Sequence, residues 1–426
     1  MQENESLYST EKNIERVVLV GIEDEDTTVM DVDSRLDELE DLVKTAGAET
    51  VGRLVQRRER PHPGHYIGKG KVEELTVMIA ALDATGVVCD DELSPAQMRN
   101  LGQLTNCKIM DRTMVVLDIF AQRASSREGK IQVELAQLKY NLTRLTGQGT
   151  ALSRLGGGIG TRGPGEKKLE TDRRHIKDSI SRLKAELKEI RTHRELLRTN
   201  RGKNGCPIVS LVGYTNAGKS TILNRLTNAG VLEEDKLFAT LDTTTRSVIL
   251  PGGSEIMLTD TVGFIQKLPH HLVEAFKATL EELKFSDILL HVVDASDPNM
   301  EDHMDVVYKT LTDLGCESKP IITVYNKMDK AEDVHLPFDK KADSVVAISA
   351  YNPDDLIKLV STVEELLKSF RKPLKVVIPY SDGGMIGMIH GKCEVISEEH
   401  TENGYEIELY AGDEMEKRLE KYIKQF

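Results

Sequence analysis

Residues 213–220 read Gly213-Tyr214-Thr215-Asn216-Ala217-Gly218-Lys219-Ser220, and the reading of this stretch decides the fold. An apolar run, Pro207 to Val212, precedes it, and Thr221, Ile222, Leu223, Asn224, Arg225 and Leu226 come after it, giving strand, glycine loop and helix in order. That setting and spacing are those of a phosphate-binding loop (P-loop). Its glycines let successive backbone N–H groups converge on one anion, and the helix adds its positive end. Lys219 is placed to reach the outer phosphates, and the Ser220 hydroxyl to meet Mg²⁺. A chance Lys-Ser in a glycine-rich turn is the alternative, and the flanking strand and helix argue against it.

The order of the downstream motifs names the nucleotide. Ile256 to Thr259 reads as a short strand ending in Asp260-Thr261-Val262-Gly263, a pattern that sets a carboxylate near the magnesium shell and a glycine N–H near the terminal phosphate. Ile288 to Val293 is a further apolar strand, and Ile321 to Tyr325 another, running into Asn326-Lys327-Met328-Asp329. The Asp329 carboxylate accepts hydrogen bonds only, which suits the two donors on the guanine edge and not adenine. Val345 to Ile348 then leads to Ser349-Ala350-Tyr351, where a backbone N–H can meet the guanine O6. Motifs in this order, each at the C-terminal end of a candidate strand, predict a doubly wound GTP-binding domain.

Phe238-Ala239-Thr240-Leu241-Asp242-Thr243-Thr244-Thr245-Arg246 lies between the loop and Asp260 and reads as a switch segment. Such a segment needs one Thr hydroxyl on Mg²⁺, and Thr240, Thr243 and Thr244 are all candidates. Directly after Gly263 stands Phe264, where many GTPases carry a Gln that orients the attacking water. Slow intrinsic turnover and a partner that completes the site are therefore expected.

The chain has 426 residues, a length that suggests about two to four domains. Its net charge of −14 argues against a nucleic-acid partner for the chain as a whole, although a global charge conceals local patches. Five cysteines lie far apart, with no Cys-x-x-Cys pair, so neither a disulfide framework nor a zinc site is expected. The first residues are polar and acidic, and no run approaches about eighteen apolar residues. A cytoplasmic protein without stable membrane insertion is expected, acting as a monomer.

Before the loop, strand and helix alternate. Val17 to Ile22, Thr50 to Val55, Gly86 to Cys89 and Lys108 to Met110 read as strands. Val32 to Ala46, Lys71 to Leu82 and Pro95 to Leu104 read as the helices between them, predicting a parallel sheet with crossovers. The loop from Pro61 to Lys71 invites comparison with a second phosphate loop but lacks the spacer and the terminal Ser or Thr, so a structural or RNA-facing role is favoured. His62 and His65 have no Cys or carboxylate at a metal-ligand spacing.

From Ile131, apolar residues Ile131, Leu135, Leu138, Leu142 and Leu145 form a narrow helical stripe. A second helix carries Leu169, Ile176, Leu183, Ile190 and Leu197 at an interval of seven, with Ile180 and Leu187 between them, a coiled-coil seam. The glycine-rich stretch 147–165 separates the two, which predicts an antiparallel helical hairpin with a long tip. Residues 154–203 hold fifteen Lys or Arg against seven Asp or Glu, reversing the sign of the chain. A solvated charged helix explains the helix taken alone. Arg154, Arg162, Lys167 and Lys168, however, sit among or beside glycines that cost entropy to order, which makes sense if the tip becomes ordered on a polyanion such as RNA. The predicted domains are an N-terminal α/β domain (1–124), the hairpin (125–203), the GTPase domain (204–371) and a small C-terminal α+β domain (372–426). The last reads as strand, short helix, a hairpin around Glu402-Asn403-Gly404 and a charged helix, with no visible chemistry.

These motifs, and above all the tip Gly156-Gly157-Gly158-Ile159-Gly160-Thr161-Arg162-Gly163-Pro164-Gly165-Glu166, resemble the HflX family of ribosome-associated GTPases over nearly the whole chain. The resemblance implies GTP/GDP and Mg²⁺ as ligands, with Lys219, Thr240 and Gly263 in catalysis. It places the magnesium threonine at Thr240, beside Ser220, because Phe238–Asp242 matches the family pattern Phe-Ala-Thr-Leu-Asp. Where the family often has Pro next, this chain has Thr243. It further implies binding to the large ribosomal subunit, with the N-terminal domain and tip reaching ribosomal RNA near the peptidyl-transferase region, and GTP-dependent splitting or recycling of stalled ribosomes under stress. A GTP-sensing subunit-assembly module and an RNA-remodelling enzyme are the competing readings.

Overall fold

The computed structural model describes residues 14–23, 32–145, 164–202, 206–227, 237–238, 243–267, 280–331, 334–370, 373–411 and 413–423. The chain divides into two compact units, one of 1–183 with 267–275, the other of 184–266 with 276–426.

The first unit is built on a parallel sheet of order β2-β1-β3-β4, with β1 Arg16–Glu23, β2 Glu49–Arg57, β3 Gly86–Cys89 and β4 Lys108–Asp111. Strands covered on both faces are apolar throughout, and Val17 to Val20 are all fully buried. Val18, Val20 and Ile22 join the core under α2 (Lys69–Leu82) and α3 (Pro95–Thr105). Gly21 faces the other way, towards Val32 and Leu36 of α1 (Val32–Ala46). The start of α3 is specified locally: Ser94 caps the Gln97 N–H, Gln97 returns the bond to the Ser94 N–H, and Pro95 comes next. Two further helices complete the run, α4 (Arg112–Arg123), capped by the Asp111 carboxylate, and α5 (Arg127–Leu145).

The long α6 (Pro164–Gly202) buries Ile180, Leu183 and Leu187 and half-buries Ile176 and Ile190, the described part of the seam predicted from spacing, while the side chains of Leu169 and Leu197 lie outside the described residues. Side chains of α6 are described over 170–190 and at 192.

The second unit carries a six-stranded sheet of order β10-β9-β8-β5-β7-β6. Its strands are β5 Ile208–Gly213, β6 Thr244–Ile249, β7 Glu255–Asp260, β8 Ile288–Asp294, β9 Ile321–Asn326 and β10 Ser344–Ala347. All neighbours run parallel except β6, which pairs antiparallel with β7 at the edge. Helices α7 (Lys219–Thr227), α8 (Met300–Asp313) and α9 (Pro353–Phe370) accompany it. The core joins Ile222 and Leu223 of α7 and Leu359 and Val363 of α9 to the sheet. A separate antiparallel sheet, β11-β13-β12, ends the chain, with β11 Leu374–Ile378, β12 Glu394–Thr401 and β13 Gly404–Tyr410. Its small core includes α10 (Gly384–Lys392) and α11 (Asp413–Leu419), through Ile389, Met415 and Leu419.

Candidate functional site

The carboxyl ends of β5, β7, β9 and β10 deliver the predicted motifs to one end of the six-stranded sheet. Gly213 ends β5 at φ +151°, where a Cβ would stand 2.2 Å from the Val292 carbonyl oxygen, so the strand can turn this close to β8 only as glycine. Gly218 is equally forced: φ is +96°, and a Cβ would lie 2.2 Å from Asn326 Nδ2.

Lys219 is buried, and its ammonium donates to the carbonyls of Gly213 at 3.2 Å and Tyr214 at 2.6 Å. Burial pushes its pKa down to about 8, with the Asp260 carboxylate pulling the other way. The Ser220 hydroxyl donates to Asp260 Oδ2 at 2.7 Å. Thr261 is fully buried and bonds the Leu211 carbonyl at 2.7 Å, tying the Asp-x-x-Gly segment to β5. A Cβ on Gly263 would meet Thr215 Cγ2 at 2.8 Å and Lys219 Nζ at 3.1 Å, so this segment lies directly on the loop. Val262 is buried, Asn216 is exposed in the left-handed region at φ 60°, and Ala217 and Thr221 are buried and half-buried.

Asn326 joins the two halves of the site. Its Nδ2 donates to the Ala217 carbonyl at 2.9 Å, and its Oδ1 accepts from the Ala350 N–H at 3.0 Å. Ser349 donates to Asp329 Oδ1 at 2.7 Å, holding a carboxylate that is otherwise exposed. Lys327, at φ 65°, pairs with Asp294 Oδ2 at 2.7 Å, and the Met328 N–H donates to the Ile348 carbonyl. Tyr351 is largely exposed, with the Arg225 guanidinium 5.1 Å from its ring centre. Phe238 is buried with φ 57°, whereas Ala239, Thr240, Leu241 and Asp242 lie outside the described residues. So do Arg154 and Arg162, and the side chains of Lys167 and Lys168.

Some contacts escape any reading of local spacing. Phe264 buries its side chain and pairs its backbone with Tyr214 in an isolated parallel bridge. Tyr214 stacks on His303 of α8 with ring centres 3.7 Å apart. Burial lowers the His303 pKa against the pull of Asp297, whose carboxylate lies 3.5 Å from Nδ1, and of Asp294. Residues Tyr214, Thr215, His291, Asp294, Asp297 and His303 also line a narrow recess beside the loop.

In the first unit, the ends of β3 and β4 carry a second polar cluster. Asp90 is fully buried and meets Arg112 at 2.7 Å, Arg35 at 3.6 Å and Lys267 at 2.9 Å. Asp111 accepts from Tyr140 at 2.8 Å and Arg144 at 2.6 Å, both on α5. His62 Nδ1 accepts the N–H groups of Gly64 and His65, which gives that histidine a structural task in its loop.

Comparison with known proteins agrees with this geometry. Family models match residues 33–121 (GTP-binding GTPase N-terminal), 123–201 (GTP-binding GTPase middle region) and 208–327 (50S ribosome-binding GTPase). GTPase HflX of Lacrimispora saccharolytica is 57% identical over 401 residues, covering 94% of each chain. The chain belongs to the HflX family of GTPases. GTPase HflX of Escherichia coli is 47% identical over 309 residues, 72% of each chain. Among solved structures, a GTP-binding protein from Sulfolobus solfataricus in complex with GDP matches at 23% identity and TM-score 0.43, covering 84% of this chain and 99% of that one. As an HflX-family GTPase, the chain binds GTP and hydrolyses it to GDP and phosphate.

Proposed function

We propose that this HflX-family GTPase binds the large ribosomal subunit and uses GTP to split or recycle stalled ribosomes under stress, as a monomer in the cytoplasm. The observation that carries the reading is the match of residues 208–327 to a model described as a 50S ribosome-binding GTPase. The local excess of basic residues over 154–203 supports an RNA contact by the hairpin tip, through Arg154, Arg162, Lys167 and Lys168.

In this reading Gly213–Thr221 wraps the phosphates, with Lys219 exchanging its carbonyl partners for phosphate oxygens. Gly263 presents its N–H to the terminal phosphate, Asp329 takes the guanine donors, and the Asn326 bridge keeps the base-reading loop at a fixed distance from the phosphate loop. Ser220 and Thr240 would hold Mg²⁺. The Ser220 hydroxyl beside the Asp260 carboxylate is a hard oxygen set of the kind that ion prefers, so the described residues fit it. Bound there, the ion supplies neutralisation of charge on the phosphate oxygens. The Phe264 side chain is buried and cannot orient a water, so a partner completes the hydrolytic site.

Incubation with GTP and intact ribosomes should give a GTP-dependent fall in light scattering, and purified large subunits should raise the GTPase rate. Unchanged scattering with tight large-subunit binding would refute splitting and favour an assembly factor. An unchanged rate would refute the partner-completed site.

A further inference from the structure

A phosphate loop of this kind needs only backbone at its second position, yet here that position carries a buried phenol. Three hydrogen bonds fasten the residues after Gly263 to the loop: Thr215 N–H to the Phe264 carbonyl at 2.9 Å, Phe264 N–H to the Gly213 carbonyl at 3.1 Å, and Gln266 N–H to the Tyr214 hydroxyl at 2.9 Å. The third differs from the others because it is made by a side chain. That side chain is itself immobilised by its stack on His303, with the ring planes 10° apart. His303 sits in the first turn of α8, whose Met304, Val307 and Leu311 are buried, so the stack ties the strap to a rigid element.

We propose that Tyr214 is a positioning residue for GTP hydrolysis: its hydroxyl and its stack on His303 hold the strap 264–266, and through it Gly263, at the height on the loop from which the Gly263 N–H meets the terminal phosphate. The fit is tight on the loop side, because a single added methyl at Gly263 would collide with Thr215 and crowd Lys219. An N–H aimed at developing charge loses its effect when displaced by about an ångström. The base-reading groups Asn326, Asp329 and Ser349 are fixed by bonds in which Tyr214 has no part. The strap therefore governs the cleavage step and not nucleotide capture.

The proposal rests on the nucleotide site described above, and GDP affinity tests that site separately. Tyr214→Phe keeps the stack and removes the hydroxyl. Its single-turnover GTP cleavage rate should fall about five-fold, the loss of one hydrogen bond, with GDP affinity falling by a clearly smaller factor. His303→Ala should give a similar loss, and His303→Phe, which restores a stacking ring, should recover the rate. An unchanged rate in Tyr214→Phe overturns the proposal. So does a parallel loss of cleavage and GDP affinity, which would make Tyr214 a purely structural part of the loop. A parent chain without GDP affinity would overturn the nucleotide site itself.

Discussion

Burial of Lys219 makes nucleotide binding a proton-coupled event. The ammonium is enclosed by the loop, and burial lowers its pKa to about 8 from 10.5, assisted by Lys327 and opposed by Asp260. A phosphate chain beside it favours the charged form and returns the pKa towards its ordinary value. In the free protein the side chain is then about half charged at pH 8 and about one-tenth charged at pH 9. Binding should take up about half a proton at pH 8 and about nine-tenths at pH 9, and very little at pH 7. Because the complex holds more protons than its parts, GDP affinity falls as pH rises through 8, approaching about tenfold per unit. Calorimetric titration with GDP between pH 7 and 9, in two buffers of different ionisation enthalpy, reads the proton count directly. Binding enthalpies that agree between buffers at pH 9, with a flat affinity, would refute the reasoning.

Asp90→Ala removes the acceptor that Arg112, Arg35 and Lys267 share. Although burial alone would raise the Asp90 pKa, Arg112 and Lys267 hold it below the usual carboxylate range. Breaking such a buried group should cost about 3–5 kcal/mol in urea unfolding, and a loss below about 1 kcal/mol would show that the remaining partners compensate. Asp329→Asn turns a donor towards guanine donors. GTP affinity should fall on the order of a hundredfold while xanthosine triphosphate, with an acceptor at that edge, gains, and unchanged GTP binding in a competition assay would remove Asp329 from base selection.

The nucleotide-binding end of the second unit is legible in the sequence because its chemistry is written in short spacings. Each motif sits where an apolar strand runs out, and Gly213 and Gly218 occupy backbone positions that no side chain would tolerate. The parallel sheet of the first unit is legible for a similar reason, since runs such as Val17 to Ile22 are apolar on both faces. Edge strand β6 is hidden: Thr244–Ile249 is mostly exposed on its outer side, and its threonines read as switch residues. Contacts made across large separations leave no periodic trace. Nothing near Tyr214 announces His303, and nothing near Asp90 announces Lys267, 177 residues away. The Tyr140–Asp111–Arg144 cluster escapes likewise, because a tyrosine and an arginine on a helical stripe look like rim residues until the end of β4 is set beside them.

The placement of Lys267 bears on the order in which the chain can mature. The first unit draws its bulk from residues 1–183, yet one cation of its buried cluster, bonded to both Asp90 and Asp91, comes from a segment synthesised much later. During translation the nascent N-terminal part emerges with Asp90 able to meet Arg112 and Arg35 but not yet Lys267. The cluster is complete only once β5, β6 and β7 of the GTPase sheet, which precede Lys267 in the chain, have been synthesised.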